Sequence, residues 1–94
     1  MQYDVTIIVH ILNNQKYLVG YREMRLPFAP FIGMSIQSES VDFGALDTVT
    51  WIELESRFSC TISYERAHSP DDLEYILNEA SSMGYKWVEQ EKAT

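Results

Sequence analysis

The chain has 94 residues and a mass of 10.9 kDa, which is enough for one domain with its own core. A composition of 46% hydrophobic and 13% aromatic residues is that of a folded chain and excludes intrinsic disorder. Fourteen acids against seven bases leave a formal charge of −7. That balance argues against a general binder of nucleic acid or anionic membrane, because phosphate contacts need clustered Lys and Arg.

Residues 3–12 (YDVTIIVHIL) are rich in β-branched side chains and read as a strand. Tyr3, Val5, Ile7, Val9 and Ile11 share one face, and Asp4, Thr6, Ile8, His10 and Leu12 the other. The second face is mixed, so the strand is predicted to be central and partly covered on both sides. Residues 13–16 are a polar turn, since Asn tolerates left-handed backbone. Residues 17–26 return as a second strand, in which Gly20 predicts a bulge or a sharp bend.

Residues 26–34 (LPFAPFIGM) are apolar or Gly throughout. Pro27 and Pro30 exclude a central strand and a helix interior. Loops are usually polar, which makes this segment the oddest in the chain. Residues 34–41 read as a short strand with Met34, Ile36 and Val41 inward, and residues 42–47 as a connection. Residues 48–55 and 58–65 then form a hairpin around Ser56 and Arg57. Phe58, Cys60, Ile62 and Tyr64 alternate with polar residues, the pattern of a strand with one side in water. The partner strand alternates less cleanly, and its register stays open.

Helix signals follow in order. Ser69 is an N-cap candidate, and Pro70 suits the first helical position. Asp71 and Asp72 favour the positive end of the helix dipole. Leu73, Ile76, Leu77 and Ala80 make one apolar stripe, and Gly84 is the stop. Residues 85–89 read as a final strand, and residues 90–94 as a frayed end. The expectation is an α+β domain over residues 1–94. It has a twisted antiparallel sheet of four to six strands, able to curl toward a partly open barrel, with one C-terminal helix on one face. One helix is a small cover for such a sheet. The second face therefore requires either curling or another subunit.

Candidate chemistry is sparse. His10 lies mid-strand among apolar residues, where a hydrogen-bonded sheet histidine is the simpler reading. His68 with Asp71 and Asp72 lacks the ligand spacing of a metal site, so neither a metal nor a cofactor is expected. Cys60, the one cysteine, is an inward residue and reads as a small hydrophobe. A lone cysteine excludes an intrachain disulfide framework. The four glycines are isolated, which excludes a phosphate-binding glycine loop. The start lacks a basic region and a small-residue cleavage site, and no stretch approaches a transmembrane helix. A complete, cytoplasmic chain is expected. Phe28, Phe31 and Ile32, with Trp51 on the following hairpin, are the candidate residues for a ligand site or subunit interface. The plainer alternative is that the loop plugs the open end of the sheet.

Charge divides along the chain. Residues 1–37 hold two acids against three bases, a sum of +1; residues 38–94 hold twelve against four, a sum of −8. Either a solubility device or a surface for a basic partner fits that split.

The run from Leu26 to Met34, followed by Val49-Thr50-Trp51, resembles a pattern in small uncharacterised bacterial proteins, some carried on integron gene cassettes. The likeness covers roughly the middle third of the chain. It implies a small accessory protein, often a homo-oligomer, and supplies no catalytic residue. The leading expectation is a non-enzymatic module that forms a dimer and binds a protein or small apolar ligand. The alternatives are an acidic inhibitor that mimics nucleic acid and docks on a basic protein, and a small enzyme using Tyr64, His68 or Cys60.

Overall fold

A computed structural model describes residues 2–13, 16–37, 42–65 and 70–91. Its elements in chain order are β1 (Tyr3–Asn13), β2 (Lys16–Leu26), β3 (Ser35–Gln37), β4 (Asp42–Ala45), β5 (Thr48–Ile52), β6 (Arg57–Glu65), α1 (Pro70–Ser82) and β7 (Lys86–Glu91). Five strands form a twisted sheet in the order β5-β6-β1-β2-β7, and β3 and β4 form a separate two-stranded ribbon. The fold is α+β. The sheet is open rather than a barrel, since β5 and β7 stand at opposite edges.

β1 is central, as its two-faced apolar pattern predicts. The expectation of purely antiparallel pairing is corrected at one place: β1 and β6 run parallel, with Val5 beside Phe58 and Ile11 beside Tyr64. The physical reason lies in the connection. Among the described residues between β2 and β5, Met34, Phe43 and Leu46 are buried in the core that packs on β1. The β5–β6 hairpin is thereby delivered to the free side of β1, with β6 running in the same direction.

The core lies on one face of the sheet. Val5, Ile7, Val9 and Ile11 are fully buried there, together with Cys60 and Ile62. Each such aliphatic side chain contributes about 1.5–3 kcal/mol by leaving water. Leu73 and Ala80 of α1 are buried in the same core, with Ile76 and Leu77 packed against it, so the predicted stripe is the packed one. The helix ends as its sequence requires. Gly84 takes φ +101°, its N–H donates to Ser81 O, and Tyr85 N–H donates to Ala80 O. That pair of bonds is a Schellman cap. Ser69 lies outside the described residues.

Several local expectations change. β2 pairs with β1 in unbroken register from Leu26 to Lys16, so Gly20 makes no bulge. It makes room instead, for a Cβ there would lie 2.6 Å from Cε3 and 2.8 Å from Cη2 of Trp87. The segment expected as a plain connection contains β4, whose Phe43 is 5% exposed. Phe43 meets Tyr64, Tyr85 and Trp87 edge-on at ring distances of 5.3, 5.5 and 6.0 Å. β5 stops at Ile52, and a single 3-10 turn over Glu53–Glu55 precedes the left-handed Ser56 at φ 51°. The last strand runs to Glu91, beyond the expected fraying point. Ile36 was expected inward, but its side chain lies outside the described residues, as does Val41.

Candidate functional site

The apolar loop is built before it is exposed. Met34 N–H donates to Phe31 O at 3.1 Å and closes a turn. Gly33 N–H donates to Leu46 O at 2.9 Å, and Leu46 N–H donates to Met34 O at 2.8 Å. Gly33 holds φ +91°, a conformation that favours glycine. Pro30 and Met34 are buried as anchors. Phe28, Phe31 and Ile32 point the other way, at 49%, 58% and 68% exposure. They do not fill the end of the sheet. A segment held by buried anchors and backbone hydrogen bonds therefore presents three large apolar side chains to water.

Trp51 lies on edge strand β5 and is half exposed. By register it lies beside Phe58, at a ring distance of 4.9 Å. Tyr3 meets the same Phe58 edge-on at 5.9 Å. The four candidate residues are thus exposed on two segments: three share one fixed loop and the fourth caps a row of rings at the sheet's edge.

The residues considered for catalysis are placed elsewhere. Cys60 is fully buried, and desolvation pushes its thiol pKa up, the reverse of an activated nucleophile. Tyr64 is buried at 8% exposure. His68 and the side chains of Asp71 and Asp72 lie outside the described residues. Among the described residues no group of three His, Cys, Asp or Glu is placed to hold a metal.

His10 projects from the opposite face of the sheet, where its Nδ1 and the Tyr17 hydroxyl are joined by a hydrogen bond. With Leu12, Thr61 and Ser63 they line an open depression of about 340 Å³. The hairpin places Leu12 opposite Tyr17, and the parallel neighbour β6 supplies Thr61 and Ser63. Tyr17 was legible as a neighbour of Leu12 from the short polar turn. Thr61 and Ser63 were not, because nothing local to them announces β1.

The described acids do not gather on one face. Asp4 pairs with Arg25 and Glu23 with Arg57, each at 3.1 Å. The Asp47 carboxylate accepts from Ser63 N–H at 2.7 Å. Glu53 and Glu55 sit on the 3-10 turn, and Glu74 and Glu79 on α1. Elsewhere, Arg22 lies over the Tyr85 ring, 5.8 Å from its centre. Among the described residues no helix is long and apolar enough to cross a membrane.

No family model, curated protein or solved structure matches the chain.

Proposed function

We propose that this chain is a small non-enzymatic accessory protein of the cytoplasm that self-associates and binds a protein or small apolar ligand. One observation carries the binding half of the reading: Phe28, Phe31 and Ile32 are exposed on a loop whose backbone is fixed by Pro30, Met34 and the Leu46 hydrogen bonds. The self-association half rests on Leu12, Tyr21 and Val88, exposed on the sheet face away from the core. A preorganised apolar surface loses little conformational entropy when it is covered. Exposed aromatic clusters mark contact sites. A resemblance to small cassette-borne proteins fits such a role.

The test uses an apolar fluorescent reporter, anilinonaphthalene sulfonate, and sedimentation of the wild type. The reporter is expected to bind wild-type protein, with Phe31→Asp weakening it at least about tenfold. Thermal stability should stay within about 0.5 kcal/mol, as for a surface substitution. Undiminished reporter binding counts against the loop. A wild type that sediments as a monomer at millimolar concentration ends the self-association half of the reading.

A further inference from the structure

The sheet has a second face that neither α1 nor the β3–β4 ribbon covers, and it is not uniformly polar. Ile8, Tyr17 and Val19 are half-buried on it, and Leu12, Tyr21 and Val88 are exposed at 37%, 39% and 49%. Register aligns Ile8 with Tyr21 and Val88 with Val19, which makes these residues neighbours across β1, β2 and β7. The other end of the face carries the ion pairs Asp4–Arg25 and Glu23–Arg57.

We infer that this face is where a second copy of the chain docks, face to face about a two-fold axis. The inference rests on the self-association proposed above and names the surface that performs it. Two observations select a second copy as the occupant. The first is area. Strands spaced about 4.8 Å apart, rising about 3.3 Å per residue, give this sheet a face of roughly 700 Å². A standard interface takes about 800 Å² from each partner.

The second is charge. Two copies of a chain at −7 repel unless they meet where the charge is locally cancelled. This face offers that place. Register places Asp4, Glu23 and Glu65 on it against Arg25, Arg57 and Lys86, which cancel, and Asp47 at its margin leaves a sum of −1. The four members of the ion pairs are already matched within the chain, so none needs a counter-charge from a partner. A strongly basic or acidic partner would find no opposite field here. The Phe28, Phe31 and Ile32 loop stays free in such a dimer for the protein or apolar ligand.

The experiment compares three proteins by sedimentation equilibrium. Wild type is expected at twice 10.9 kDa. Tyr21→Glu/Val88→Glu is expected to raise the dimer dissociation constant at least about tenfold, by burying charge against charge. Phe31→Asp is expected to remain a dimer. If Phe31→Asp is monomeric and the face variant dimeric, the face is the wrong surface while self-association stands. If both variants stay dimeric, the inference fails in the same way. A monomeric wild type removes the inference and the self-association reading together. Should the face variant not fold, dilution of wild type decides. The methyl resonances of Ile8, Leu12, Val19 and Val88 should shift with concentration while those of Ile32 do not. The reverse pattern overturns the inference.

Discussion

Gly20 shows how one missing side chain sets a packing arrangement. The Trp87 indole occupies the space a Cβ would need, and the strand beneath it runs straight. Gly20→Ala should therefore destabilise the domain, although alanine ordinarily gains about 0.5–1 kcal/mol over glycine within a strand. The overpacking cost, about 1–3 kcal/mol, outweighs that gain. The expected net loss of about 1 kcal/mol lowers the midpoint of thermal unfolding by roughly 4–8 °C in a domain of this size. The near-ultraviolet signal of Trp87 should change with it. An unchanged midpoint would mean that the ring moves aside freely. The same indole has its Nε1 buried without an acceptor among the described residues, which costs the native state stability.

At the scale of elements, α1 is the most self-announcing part of the chain, and its end is a testable joint. Gly84 has room for a methyl group, since the nearest atom a Cβ would meet is Arg22 Nε at 3.8 Å. Its φ of +101° is what alanine resists. Gly84→Ala is expected to cost about 1–2 kcal/mol in denaturant unfolding. An asparagine there should cost less, because it tolerates positive φ better. Equal stability of all three would show that the Schellman bonds to Ala80 and Ser81 do not hold the helix end. The helix was legible because its period, its Pro70 start and its glycine stop agree. β4 was not, because Asp42, Gly44 and Ala45 have poor strand propensity. Phe43 becomes part of a strand through rings contributed by β6 and β7 and the residue before β7.

For the whole molecule, two buried acids link stability to alkaline pH. Burial raises the Cys60 thiol pKa, and burial raises the Tyr85 phenol pKa against the opposing pull of Arg22. In each case the native state holds its proton more tightly than the unfolded chain. The stabilisation is complete below the unfolded values, near 8.5 for the thiol and 10 for the phenol. It is lost as pH rises from those values through the native ones. The unfolding midpoint in urea should therefore fall from about pH 8.5 upward. Cys60→Ala should remove the earlier part of the fall while leaving the part due to Tyr85. A profile identical to wild type would exclude the thiol as its source. Native Cys60 should also resist a thiol reagent until the protein is unfolded.

By itself the sequence determined the α+β class, the central place of β1, its buried face, the helix with its glycine stop, and the oddity of residues 26–34. These rest on periodicity, capping and loop chemistry, which act over a few neighbouring residues. Only the tertiary structure decided that β6 lies parallel to β1, that Gly20 accommodates Trp87, and that Phe28, Phe31 and Ile32 face water while Pro30 and Met34 are buried. It also decided that the described acids scatter and that the uncovered face is close to neutral. Each of those depends on which distant segments become neighbours. A net charge of −7 names the sign of a surface. The sheet's register alone determines where on that surface the charge cancels.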